Sequence, residues 1–120
     1  MYRWHQDGGI DPTFGDGGIV TTDLGATDHA YTVAVLSDGH VVIGASTTRS
    51  PPKFAVVRYT PQGILDPTFG VAGIVTTHLG GAGSAAHAMA VLPDGRILLV
   101  GLNVPSASAT FAGVRYQANG

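Results

Sequence analysis

The chain has 120 residues, enough for one ordinary domain, and it contains no cysteine, which excludes disulfide bonds and zinc–thiolate sites. Only 12% of the residues are charged, the formal net charge is −2, and Lys and Arg do not cluster, so nucleic acid is not an expected partner. No stretch is apolar over the roughly 18 residues that a membrane-spanning helix requires, so no membrane partner is expected. Composition leaves the cellular compartment open.

Residues 1–10 are the first predicted element, a partial outer strand. The segment Met1–Gly8 aligns with residues 56–63 and again with residues 113–120. Both ends of the sequence therefore carry the same fragment of a repeating unit.

A repeat of about 55 residues fills the rest of the chain, with one copy at 11–65 and the second at 66–120. All but three of the positions from Asp11 to Gly25 recur 55 residues later. The offset then grows by single residues between matching blocks, as insertions in surface loops produce. A repeat of this size indicates two copies of one supersecondary unit.

Each copy opens on the sequence Asp-Pro-Thr-Phe-Gly, at Asp11–Gly15 and Asp66–Gly70. The first Asp is expected to cap a single helical turn, and Pro fits the first position of that turn. The closing Gly can adopt the left-handed conformation that ends the turn. Phe14 is then free to fill a gap between sheets, so the motif is interpreted as structural.

Four short strands are predicted in each copy, because β-branched runs alternate with Gly-containing turns. No stretch of ten residues shows helical periodicity. The predicted strands are Gly18–Thr22, Tyr31–Leu36, His40–Ala45 and Phe54–Tyr59 in the first copy, and Gly73–Thr77, His87–Leu92, Arg96–Gly101 and Phe111–Tyr116 in the second.

Four antiparallel strands per copy predict an all-β chain made of two four-stranded β-propeller blades. The third strands contain the continuous apolar runs Val41–Ile43 and Ile97–Val100, whereas a strand in a sandwich alternates apolar and polar residues. Blades stacked face to face cover both sides of such a strand. A β-solenoid is the alternative fold, although its coils are usually shorter and do not contain four strands joined by hairpin turns.

Four blocks carry a resemblance to a known family: Asp-Pro-Thr-Phe-Gly, Gly-Ile-Val-Thr-Thr, Ala-Val-Leu-x-Asp-Gly and Phe-Ala-x-Val-Arg-Tyr. Together they are similar to the delta-60 repeat, a bacterial tandem repeat. The resemblance covers nearly the whole chain. It implies a β-propeller, and it implies no catalytic residues because the family has no agreed activity.

Two blades leave open sheet edges and uncovered apolar faces, so the chain is expected to self-assemble unless it is part of a longer protein. Cyclic assembly of two, three or four copies produces rings of four, six or eight blades. The trimer with six blades is the favoured homo-oligomer. In it, the last strand of one copy is expected to adjoin the first blade of the next copy.

Scaffolding or binding by a non-enzymatic propeller module is the function that these features favour. The alternative is a lectin-like propeller that binds carbohydrate at several sites. An Arg beside an aromatic residue can stack on a sugar and bind its hydroxyls, and the pair occurs three times. The ligand-binding candidates are Trp4, Arg58, Tyr59, Arg115 and Tyr116, with Arg3 preceding Trp4. An enzyme with a site in the central channel is the third and weakest hypothesis.

Catalytic residues, metal ligands and cofactors are not predicted. None of the five histidines recurs at an equivalent repeat position. The acidic residues near Asp11 resemble a calcium loop only in part, and the second copy retains one of them. Ser84 with His87, and Asp28-His29 with Ser37, lack the sequence context of a hydrolase nucleophile.

Overall fold

The computed structural model describes residues 1–48 and 50–120, and all seven regular elements in them are β-strands. The all-β prediction is confirmed. The strands are β1 (Asp28–Val35), β2 (Val41–Thr47), β3 (Lys53–Tyr59), β4 (Ile74–Thr77), β5 (Gly83–Val91), β6 (Ile97–Val104) and β7 (Thr110–Tyr116). In the part of the chain so described, no helix could span a bilayer.

The first sheet has four antiparallel strands in the order β1-β2-β3-β4. Its register pairs Val33 with Ile43 and Val56 with both Gly44 and Val75. The outermost strand β4 comes from the second sequence repeat. The first sheet therefore extends beyond repeat unit 11–65, because its fourth strand comes from repeat unit 66–120.

The second sheet has three antiparallel strands in the order β5-β6-β7, so the prediction of two four-stranded blades is corrected to one sheet of four and one of three. The register of β6 on β5 and β7 repeats that of β2 on β1 and β3. Even the irregularity in β1 between Ala30 and Thr32 recurs in β5 between Ala86 and Ala88. Among the described residues, β7 has no strand on its outer side.

The predicted strand Gly18–Thr22 does not form a regular strand, and this too is a correction. Ile19 makes only isolated bridges, to Tyr2 and to Asp16. Its counterpart Ile74 pairs with Val57 in a four-residue ladder on the full-length strand β3. Gly18–Thr22 stays irregular because its partner segment is short: residues 1–3 provide hydrogen bonds only as far as Val20.

Residues 1–10, predicted as a partial outer strand, bridge to the segment that follows them. Tyr2 pairs with Ile19, and Trp4 pairs with Ile10. In the repeat, Tyr2 corresponds to Val57 of β3, which pairs with Ile74 in the same way. The segment therefore occupies the position of a third strand beside an incomplete fourth one.

The two sheets pack face to face through the main apolar core. Strands β2 and β3 contribute Val42, Phe54 and Val56, all fully buried. The second sheet contributes Ala86, Ile97, Leu99 and Tyr116, and the turn before β4 contributes Phe69. A second cluster on the opposite face of the first sheet joins Phe14 to Val41, Val57 and Tyr59. Face-to-face packing of sheets is the arrangement that the doubly apolar strands required.

Candidate functional site

The Asp-Pro-Thr-Phe-Gly turns have the capped geometry that the sequence indicates. The Asp11 carboxylate accepts hydrogen bonds from the backbone N–H and the hydroxyl of Thr13, at 2.9 and 2.6 Å. Gly15 adopts φ +60°, and a Cβ there would lie 2.3 Å from the carbonyl oxygen of Ile19, so only glycine fits. Asp66 and Thr68 repeat both bonds in the second copy.

An arginine eight residues before each of these aspartates completes the site, and we call each such set an Arg–Asp clamp. Nε of Arg3 donates to the Asp11 carboxylate at 2.6 Å, while its terminal nitrogens donate to the carbonyl of Pro61 at 2.6 Å and the hydroxyl of Thr13 at 3.0 Å. The guanidinium also lies 4.6 Å from the ring centroid of Phe14, a cation–π distance.

The second clamp reproduces the first almost bond for bond. Nε of Arg58 donates to the Asp66 carboxylate at 2.6 Å. Its terminal nitrogens donate to the carbonyl of Ala118 at 2.6 Å and the hydroxyl of Thr68 at 3.1 Å, and its guanidinium lies 4.6 Å from the ring centroid of Phe69. Pro61 and Ala118 occupy equivalent repeat positions, so each clamp joins one blade to the turn of the next.

Both clamp carboxyls have lowered pKa values. Hydrogen bonds from the hydroxyl and backbone N–H of Thr13, with a smaller contribution from Arg3, lower the pKa of Asp11 to about 2. Burial raises the pKa of Asp66, but hydrogen bonds from Thr68 and Arg58 outweigh it and bring this pKa to about 2 as well. Both clamps therefore contain an ionised carboxylate at neutral pH.

Arg115 corresponds to Arg3 and Arg58 but has no such set of partners. It is exposed, and it makes no hydrogen bond or ion pair with residues 1–48 or 50–120. Strand β7 has the same register on β6 as β3 has on β2, since Arg115 pairs with Leu98 and Arg58 pairs with Val42. Arg115 is thus a clamp arginine without an aspartate.

The aromatic partners of two predicted pairs point away from their arginines, because successive strand residues face opposite sides of a sheet. Tyr59 and Tyr116 are buried, and burial raises the pKa of each phenol. The Tyr59 hydroxyl lies 2.5 Å from the hydroxyl of Thr22, and the Tyr116 hydroxyl donates to that of Thr77 at 3.0 Å. These candidates are not brought together with Arg58 or Arg115 around one ligand-sized space.

Trp4 is the predicted ligand-binding aromatic that the structure leaves accessible, with 59% of its surface exposed. The Tyr2 ring lies 6.3 Å from it, centroid to centroid, on the same side of the segment. Arg3 between them is engaged in its clamp. The exposed rings of Tyr2 and Trp4 therefore form a small aromatic surface at this end of the chain.

The hydrolase-like combinations are not assembled. The hydroxyl of Ser84 contacts the side-chain oxygen of Asn103 at 3.4 Å, whereas the His87 ring stacks on Tyr31 at a centroid distance of 5.6 Å. Asp28 accepts a hydrogen bond from the backbone N–H of Leu24 at 2.7 Å. Within the described residues, no group of three or more His, Asp or Glu side chains is arranged to hold a metal ion.

A cavity of about 280 Å³ opens on the face of the first sheet that points away from the second sheet. It is mostly apolar, and one oxygen of the Asp28 carboxylate at its wall is buried without a hydrogen-bond partner. Its lining includes Met1, Val20, Thr22, Ala30, Ile43 and Tyr59.

A family model described as domain of unknown function (DUF5122) beta-propeller matches residues 36–69. The resemblance to a β-propeller repeat family is confirmed. The matched segment contains β2, β3 and the Asp66 turn, so it includes the whole second clamp except Ala118. The narrower name, the delta-60 repeat, stays a prediction. No curated protein and no solved structure matches the chain.

The clamp itself was missed from the sequence, although a signal for it exists. Asp11 and Asp66 were interpreted as turn caps alone, and the arginines as partners of the following aromatic residues. The constant spacing of eight residues from Arg3 to Asp11 and from Arg58 to Asp66 would have linked them. The exposed Phe111 was also not distinguished from Phe54, since the two occupy equivalent positions of the repeat.

Proposed function

We propose that the chain is a non-enzymatic β-propeller module whose copies assemble head to tail and serve as a scaffold or binding platform. One observation carries this proposal. The first sheet packs on the second through one of its two faces. The equivalent face of the second sheet is formed by the corresponding residues, and no sheet of the described residues covers it. The chain thus contains one complete blade interface and both halves of another.

The uncovered half on the second sheet lies on the outward side of β6 and β7. Phe111 has 90% of its surface exposed, while its counterpart Phe54 is 0% exposed in the core between the sheets. Leu98 and Leu102, on the same side of the sheet, are also exposed. We call this surface the leading face. Exposed apolar patches of this kind are typical of interaction sites.

The other uncovered half lies on β1 of the first sheet. Val33 and Val35 are exposed, whereas their counterparts Met89 and Val91 pack against the core between the two sheets. We call this surface the trailing face. Packing a leading face on the trailing face of a second copy would repeat an interface that the chain already uses.

Such an interface joins two different surfaces, so it is heterologous and forms a ring when the rotation closes. Two, three or four copies give four, six or eight blades, the usual range for propellers, and we favour the trimer. The contacts of Ser84 with Asn103 and of His87 with Tyr31 support a structural rather than a catalytic role for these side chains.

The mass of the purified protein in solution tests the assembly. Multi-angle light scattering is expected to show a species of two, three or four chains. Phe111→Asp should shift that species toward the monomer, because it places a charge in the leading face. Val71→Asp is the matched control, since Val71 is exposed but lies outside both faces and the first copy has Asp16 at this position. A folded monomer at all concentrations would contradict the proposal.

A carbohydrate-binding role is the second candidate, and the exposed pair of Tyr2 and Trp4 is the observation that favours it. Aromatic faces stack on the apolar sides of sugars. A glycan array probed with the parent protein and with Trp4→Ala tests it. Binding that is lost in the variant, while the oligomer mass is unchanged, would support this role. An array without binding would exclude it.

A further inference from the structure

We propose that residues 1–8 and residues 113–120 of a second copy compete for one receptor, and that β7 of the second copy displaces residues 1–8 when the copies assemble. The receptor is the segment 9–24, which contains the first Asp-Pro-Thr-Phe-Gly turn. This inference rests on the proposed assembly and specifies the strand exchange by which it occurs.

The backbone bonds of residues 1–8 are those of β3 on its own receptor. Arg3 donates its N–H to the carbonyl of Gly18 and accepts from the N–H of Asp11, at 3.1 and 2.9 Å. Arg58 makes the same two bonds with Gly73 and Asp66, both at 2.9 Å. Residues 1–8 therefore fill a third-strand position in a blade whose other inner strands are absent from the described chain.

The second sheet supplies the inner strands that this position lacks. Within residues 1–48 and 50–120 it has three strands and an open edge at β7, where unpaired backbone groups can accept a further strand. Arg115 on that edge is the clamp arginine without an aspartate. The receptor segment contains what β7 lacks, namely the fourth-strand residues around Ile19 and the clamp aspartate Asp11.

Residues 1–8 and β7 cannot occupy the receptor together, because the repeat places them at the same position. Met1 corresponds to Gly113, Tyr2 to Val114 and Arg3 to Arg115. A second copy can complete its last blade on this receptor only after residues 1–8 leave. The N-terminal segment thus acts as an intramolecular competitor of assembly.

Exchange would extend the strand pairing. The ladder to residues 1–3 stops at Val20, whereas the equivalent ladder on β3 continues through Thr76 and Thr77, which pair with Ala55 and Phe54. In the exchanged arrangement, Ala112 and Phe111 would pair with Thr21 and Thr22 in the same way. Each added pair satisfies backbone groups that the shorter segment does not reach.

The cavity on the first sheet fits the exchanged phenylalanine. Phe54 is fully buried in one cluster with Ala86, Leu99 and Tyr116 in the core between the sheets. The corresponding residues of the first sheet, Ala30, Ile43 and Tyr59, line the cavity of about 280 Å³. Phe111 of a second copy would enter this cavity as Phe54 enters the complete interface.

Two engineered cysteine pairs separate the closed and exchanged arrangements, and the chain contains no other cysteine. Met1 and Val20 form two backbone hydrogen bonds with each other. The adjacent pair of Tyr2 and Ile19 is therefore of the non-hydrogen-bonded type, in which the side chains lie closer together. This geometry suits a disulfide. Tyr2→Cys with Ile19→Cys is the locked variant. Ile19→Cys with Val114→Cys is the trapping variant, because Val114 corresponds to Val57, the partner of Ile74.

The trapping variant is expected to form disulfides between chains on oxidation, and the locked variant within one chain. Locking should raise the apparent dissociation constant of the oligomer at least about 100-fold, and a reductant should reverse the effect. Val57→Cys with Ile74→Cys is the geometric control, since it places the same pair inside a complete blade. Ile19→Cys alone controls for random collisions.

The outcomes distinguish this inference from the proposed function. If the oxidised locked variant assembles as tightly as the parent protein, strand exchange is wrong while assembly stands. If the trapping variant forms no more interchain disulfide than Ile19→Cys alone, in a protein that light scattering shows to be oligomeric, exchange is likewise wrong. If the parent protein and the reduced variants are all folded monomers, both proposals fall.

Discussion

Nε of Arg58 lies 2.6 Å from the carboxylate of Asp66, and this ion pair connects the third strand of a blade to the turn that leads into the fourth. Both side chains are largely buried, and Thr68 and the Ala118 carbonyl satisfy their remaining groups. The pair between Arg3 and Asp11 repeats the arrangement. The same bonds thus join a third-strand position to the following turn in both copies of the repeat.

Removal of the second clamp arginine should destabilise the chain strongly. Arg58→Ala leaves the buried Asp66 carboxylate without its charged partner, and we expect a loss of about 3 kcal/mol in the free energy of unfolding. Arg115→Ala, at the equivalent but unpartnered position, should change it by less than about 0.5 kcal/mol. Urea unfolding followed by circular dichroism, at a concentration where the subunits are separate, measures both. Equal losses in the two variants would contradict this assignment.

Acid should weaken both clamps within a defined pH range. The pKa values of Asp11 and Asp66 are about 2 in the folded chain against 3.8 for an unperturbed Asp carboxyl, so their stabilising contribution is complete above about pH 4 and is lost as the pH falls through 2. The free energy of unfolding should therefore decrease between pH 4 and pH 2.

The double variant Asp11→Asn with Asp66→Asn tests the origin of this acid sensitivity. It should show a flatter dependence of the unfolding free energy on pH in that range, because neither position can then take up a proton. Asp16→Asn, on the exposed surface of the first turn, should keep the slope of the parent protein. A parent slope in the double variant would show that other carboxyls cause the acid sensitivity.

Gly101 should not tolerate a side chain, although it lies in strand β6 with an ordinary backbone conformation. A Cβ there would lie 2.0 Å from the carbonyl oxygen of Ala85, so Gly101→Ala forces β5 and β6 apart and should cost about 1–3 kcal/mol. The nearest atom to a Cβ at Gly113, on strand β7, is a side-chain carbon of Val100 at 3.3 Å, and Gly113→Ala should be nearly neutral. Thermal unfolding of the two variants provides the comparison.

Phe54 and Phe111 should differ sharply although the repeat makes them equivalent. Phe54→Ala removes a fully buried ring and should reduce the stability of the separated subunit by about 3–5 kcal/mol. Phe111→Ala removes an exposed ring and should leave that stability within about 0.5 kcal/mol, while it weakens self-association. Unfolding at low concentration, combined with light scattering at high concentration, separates the two effects.

Local chemistry was largely readable from the sequence. The strands β2, β3, β6 and β7 follow from β-branched runs between glycine turns, because strand propensity and turn conformation are properties of a few adjacent residues. The capped turn at Asp11 and the left-handed Gly15 follow for the same reason. The repeat itself indicated the propeller, since a doubly apolar strand such as Val41–Ile43 needs cover on both faces.

Non-local partners were not readable in this way. The sequence alone made Gly18–Thr22 and Ile74–Thr77 equivalent, and only the tertiary structure showed that one has a full partner strand while the other is bridged by residues 1–3. Likewise Arg3, Arg58 and Arg115 occupy equivalent positions of the repeat, but two are clamped and Arg115 has no such partners among the described residues. A repeated sequence determines what each unit can bind, and the packing of the whole chain decides which of those partners is present.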